Sequence, residues 1–110
     1  MKLGNLNEMI GGWFIGDFEP NLIKNKDFEA SVKYYKKGDK ESKHMHKVAT
    51  EITVIESGRA IMKDTIFKKG DIILLEPGEA TSFEALDDTT TFVIKFPSVK
   101  DDKYLVEDDA

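Results

Sequence analysis

The sequence predicts a small all-β domain, either closed on itself or folded into two antiparallel sheets. Short β-branched or alternating segments recur along the chain, each followed by a turn signal. No segment carries helical periodicity beyond one turn between Asn5 and Ile10. Roughly eight strands in 110 residues must also dispose of their sheet edges, and closure or a double-sheet arrangement does so.

Segment 12–19 holds the apolar run Trp13-Phe14-Ile15 and stops at Glu19-Pro20, so it reads as an N-terminal strand. Trp13 and Phe14 are expected in a core or an interface. From Phe28 the chain alternates, with Phe28, Ala30, Val32 and Tyr34 on one face and Glu29, Ser31, Lys33 and Tyr35 on the other. Residues 36–43 read as a polar turn, and 44–47 as a short extended piece. Residues 51–57 form a β-branched strand ending at Gly58, and 59–63 and 65–69 a hairpin around Asp64. The strand in 70–78 is framed by Gly70-Asp71 and Pro77-Gly78. Residues 80–86 and 89–96 are the last two strands, split by Asp87-Asp88 and ended by Pro97. The core of the single domain, 1–110, spans about 28–96. An acidic tail, 98–110, follows, and Tyr104, Leu105 and Val106 offer apolar groups to pin part of it.

Composition narrows the function. The formal charge is −5 with one arginine, Arg59, which argues against a nucleic-acid partner. The chain has no cysteine, so disulfides and thiolate metal sites are excluded. No apolar run reaches the ~18 residues of a membrane helix, and the N-terminus is too polar for a signal-peptide core. The expectation is a cytoplasmic protein without membrane contact.

Both histidines of the chain, His44 and His46, lie one residue apart, with Glu51 five residues on. On a strand the two imidazoles share a face. Simple alternation places Glu51 on the opposite face, but one extra residue near Val48-Ala49 resets the phase. Glu51 then joins the histidines, and two imidazoles with one carboxylate form a donor set suited to iron, zinc, manganese or nickel. With Glu51 inside, Ile52 and Val54 face outward and need a cover, which predicts a homodimer or a covering N-terminal strand.

The flanks extend the pattern. Gly38, five residues, His44, one, His46, four, Glu51, six and Gly58 resemble the first motif of the cupin superfamily at every named position. Gly70, Asp71, Pro77 and Gly78 resemble its second motif, with the proline one place late. The histidine of that second motif falls at Thr81 and its later asparagine at Ala85, so the second motif is degenerate.

The resemblance implies a jelly-roll, or double-stranded β-helix, barrel with a pocket between its sheets. It implies a divalent transition metal on His44, His46 and Glu51, and a small polar metabolite, a sugar or an organic acid, as ligand. Tyr34, Thr81 and Phe83 are the candidate ligand-binding side chains, and Glu79 or Glu84 a carboxylate to move a proton. The function implied is a metal-dependent dioxygenase or isomerase. The alternative is a non-catalytic binding or accessory cupin that has lost its metal.

Overall fold

The computed structural model describes residues 1–107; positions 108–110 of the acidic tail lie outside the described residues. Eleven strands are present: β1 (Trp13–Gly16), β2 (Ile23–Lys24), β3 (Glu29–Tyr35), β4 (Lys40–Met45), β5 (Thr50–Ser57), β6 (Arg59–Met62), β7 (Thr65–Lys68), β8 (Ile72–Leu75), β9 (Thr81–Ala85), β10 (Thr89–Phe96) and β11 (Tyr104–Leu105). They form a six-stranded sheet, β2-β1-β3-β10-β5-β8, and a five-stranded sheet, β11-β4-β9-β6-β7. All neighbours run antiparallel except β1 and β2. This is the double-stranded β-helix arrangement that the sequence predicts.

The N-terminal turn is a pair of 3-10 turns, Leu6–Glu8 and Ile10–Gly12, the first capped by the Asn5 side chain on the Asn7 amide at 2.9 Å. Between β6 and β7, Lys63 and Asp64 both take left-handed backbone angles, the geometry of a two-residue hairpin turn. Residues 36–43 are not only a turn: from Lys40 the chain is strand β4, held between β9 and β11. Its polar composition misleads because alternate side chains face solvent.

The interior is divided lengthwise. One end is apolar, where Ile55, Ala60, Met62, Leu75, Phe83 and Ala85 form the buried core with Tyr35, Phe67 and Ile73 against it. Ala60 and Ala85 are cross-strand partners. Toward the other end the inner face of the six-stranded sheet turns polar, with Glu29, Ser31 and Thr53 buried around Val93, and with buried Thr91 at the boundary opposite Ile55. The alternation of β3 explains why. Its apolar face, Ala30 and Val32, is the outer one, and Leu6, Met9, Phe14 and Leu22 gather around Val32. The N-terminal segment thus covers one end of the outer face. At the other end Ile72 and Leu74 stay 70% and 53% exposed on β8.

Chain passage from one sheet to the other depends on Gly58, the single residue between β5 and β6. Its φ is 81°, and an added Cβ would run into the main-chain oxygen of Asp88. Gly58→Ala therefore meets both backbone strain and a clash with main chain. We expect a loss of about 2 kcal/mol or more in urea unfolding; an unchanged midpoint would show that this corner can relax.

Candidate functional site

The pocket between the sheets, of about 110 Å³, opens at the polar end and is lined by His44, His46 and Glu51 together. His44 sits near the end of β4, and His46 follows just beyond it. The chain then bends through Lys47 and Val48 before β5 begins at Thr50. That bend resets the strand phase, so Glu51 and Thr53 face inward while Ile52 and Val54 face out. The rings of His44 and His46 are 5.4 Å apart and nearly perpendicular. His46 Nε2 lies 3.4 Å from Glu51 Oε1.

The bend is organised by a residue far away in sequence. Asp102, only 6% exposed, accepts hydrogen bonds on its carboxylate from the main-chain amides of Lys47 (3.0 Å), Val48 (3.2 Å) and Ala49 (2.9 Å). Its main-chain carbonyl lies 2.7 Å from His46 Nδ1. A carbonyl only accepts, so Nδ1 carries a proton and Nε2 is the nitrogen that faces Glu51. His44 is oriented in the same way, with Nδ1 2.8 Å from the carbonyl of Ser42. The tail is held by β11, which pairs with β4 at Met45 and His44, and by the Val106 amide on the Lys43 carbonyl at 3.0 Å.

Burial pushes the Glu51 carboxyl up, but the hydrogen bond and charge of His46, with Lys95 and His44, outweigh it and hold the group below the usual range. Thr53 Oγ1 donates to its other oxygen at 3.3 Å. Tyr35 is pushed well up by burial and by Glu41, so it stays a neutral phenol, and it donates to Glu41 Oε2 at 3.1 Å. Lys33 is pulled down, first by burial and then by Lys95, against the opposing pull of Glu41 and Glu51.

The sequence-predicted positions do not all meet here. Thr81 and Phe83 line the pocket. Thr81 is the cross-strand partner of His44, the place for a fourth ligand, but its hydroxyl donates to the Ser82 carbonyl at 2.8 Å. Tyr34 is a correction. It is 70% exposed on the outer face, and Tyr35 takes the inner place against Phe83 with ring centres 4.4 Å apart. Val32, on the same face as Tyr34, packs under the N-terminal cover. Glu79 and Glu84 also point away, paired with Lys63 at 2.7 Å and Lys40 at 3.9 Å. The second pocket carboxylate is Glu41, brought inside by a register shift between Glu41 and His44. Trp13, expected in a core or an interface, lines the pocket with Lys33, Lys95 and Lys103.

Sequence reasoning missed Asp102 and the lysines. The even spacing of Lys33 from Tyr35 gave a same-face signal. Nothing local pointed to Asp102, whose partners lie more than fifty residues away.

For an implied metal, the donor chemistry fits: two imidazoles anchored through Nδ1 leave Nε2 for the pocket beside a carboxylate, the usual support of a ligating histidine. The spacing is less complete. Among the described residues no three His, Cys, Asp or Glu side chains gather closely enough to hold an ion together.

Comparison with solved structures agrees with the fold. An uncharacterised protein with a double-stranded β-helix domain from Klebsiella pneumoniae is 20% identical, with 76% of this chain and 74% of that one covered at a TM-score of 0.69. The DMSP lyase DddQ from Ruegeria pomeroyi is 20% identical over 86% of this chain and 49% of its own, with a TM-score of 0.71. A sugar phosphate isomerase of the cupin superfamily from Silicibacter pomeroyi is 18% identical over 64% and 50%, with a TM-score of 0.59. No protein-family model matches the sequence, and no curated protein matches it. The chain has the double-stranded β-helix fold of the cupins.

Asp102→Ala should cost about 2 kcal/mol or more at neutral pH, because it leaves three amides without their acceptor. Burial pushes the Asp102 carboxyl up, but the amides of Ala49, Lys47 and Val48 and the charge of His46 more than offset it and hold the group low. The stability it contributes is therefore present above the ordinary aspartate range and is lost as pH falls through its lowered value. In urea unfolding the gap between the two proteins should close in acid; equal stability at pH 7 would contradict this role.

Proposed function

We propose that the chain is a metal-binding small cupin that takes a small polar metabolite into the pocket between its sheets. His44, His46 and Glu51 would hold one divalent transition metal: iron, zinc, manganese or nickel. The observation that carries the reading is the matched anchoring of both histidines. Each gives Nδ1–H to a main-chain carbonyl, which turns Nε2 to a pocket wall that also holds Glu51. When bound, such an ion supplies a Lewis acid with open positions. Two of the structural neighbours are named as enzymes of small molecules, which supports a metabolite as ligand. The neutral Tyr35 phenol offers that ligand a hydrogen-bonding group.

A second reading, a pocket that binds its ligand without metal, is favoured by one set of observations. Thr81 does not present a fourth donor, and three lysines line the pocket. Elemental analysis of tag-free protein separates the two. The first predicts a near-stoichiometric transition metal that is lost in the His44→Ala, His46→Ala double variant. No metal after incubation with iron, zinc, manganese and nickel in turn would remove it and leave the second.

We also propose that the outer sheet face pairs with a second copy. Leu74, Ile52 and Ile94 form one cross-strand row, and Ile72, Val54 and Phe92 the next. The exposed edge of this face is apolar. Sedimentation should show a dimer that Ile72→Glu with Leu74→Glu turns into a monomer; a monomeric wild type at all concentrations would contradict the pairing.

A further inference from the structure

The pocket holds more cationic groups than the histidine and carboxylate set uses. Lys33 Nζ and Lys95 Nζ converge on the Trp13 ring, 5.0 and 4.8 Å from its centre. Like charges repel, and both side chains are largely buried. Their existing partners satisfy them unequally. Lys95 makes an ion pair with Glu29 at 2.8 Å, and Glu29 is itself held by the Ser98 hydroxyl at 2.7 Å. Lys33 lies 4.0 Å from Glu41 and donates no hydrogen bond among the described residues. Its ammonium carries three donors, and the side chain lines the pocket. Thr91, its cross-strand partner, has a buried hydroxyl with no hydrogen-bond partner, and Thr91 lines the same pocket.

We propose that the pocket takes a small carboxylic acid, its carboxylate seated on Lys33 and Lys95 beside the Trp13 ring and the rest of the molecule reaching toward His44, His46 and Glu51. This rests on the reading of the pocket as a metabolite site but not on the metal. A carboxylate fits better than a phosphate. Glu41 and Glu51 line the same space and oppose a second negative charge, and no arginine lines it to grip a phosphate with two parallel hydrogen bonds. The volume, about 110 Å³, limits the buried part to a few heavy atoms. Trp13 and Lys95 also line a wider neighbouring cleft of about 530 Å³, so a longer acid has room to extend past the indole.

Trp13 is the only tryptophan of the chain, so its fluorescence reports on this spot. Glucuronate, malonate, inorganic phosphate and glucose are titrated, with calorimetry in parallel. Each titration is run on chelator-stripped protein and on protein incubated with zinc. We expect saturable binding of glucuronate or malonate in the stripped protein, with glucose and phosphate at least about tenfold weaker, since a charge-assisted contact is worth that much. Lys33→Met and Lys95→Met should each weaken the acids at least about tenfold and leave glucose unchanged. Lys33→Gln and Lys95→Gln replace any methionine variant whose circular dichroism shows that it does not fold. Glucose or phosphate binding as tightly as the acids would overturn the assignment. So would acid binding that needs zinc and ignores the lysine variants, although that result would support the metal reading. No binding of any probe in either form would overturn the assignment as well, whatever the metal analysis shows.

Discussion

Asp102 holds the site together. Its carboxylate gathers three successive amides of the bend at 47–49, and its carbonyl accepts the Nδ1–H of His46. Without that bend, strand alternation would put Glu51 on the outer face among Ile52 and Val54, away from the histidines. A buried carboxylate requires such compensation, since desolvation opposes its charge unless several donors meet it. The same residue fixes which nitrogen of His46 faces the pocket. One side chain and one carbonyl from the tail therefore determine both the composition of the pocket wall and its proton pattern.

The lengthwise division of the barrel makes this possible. The apolar end, centred on Ile55 and Phe83, supplies the packing that a small domain needs. It leaves the other end free to be polar without loss of the core. There the polar groups meet in pairs: Glu51 lies against His46, Lys95 against Glu29, and Tyr35 against Glu41. Lys33 is the least compensated, and it shares the pocket wall with Trp13, which also lines the wider neighbouring cleft.

Much of the fold was legible in the sequence because strands and turns are local. The alternation in 28–35, the hairpin at Asp64 and the turn at Gly58 each depend on neighbouring residues. The spacing from Gly38 to Gly58 also pointed to the histidines and Glu51, with the phase reset near Val48-Ala49 that this grouping needs. What could not be read was which face of β3 is inner. The apolar side looks like a core side, and only the N-terminal segment packed over Val32 reveals it as the outer one. Glu41 needed a register shift that no turn residue signals. Asp102 needed a long-range pairing, and its surroundings resemble any acidic tail.

The most direct test is the protonation pattern of the His46 ring. Long-range ¹⁵N–¹H correlation on metal-free protein, at a pH where the imidazoles are neutral, distinguishes the two tautomers. The account predicts that His46 carries its proton on Nδ1, with Nε2 bare, and that this state is lost when the tail beyond Pro97 is removed. A ring protonated on Nε2, or one averaging between the two forms in the intact chain, would contradict the central role of Asp102.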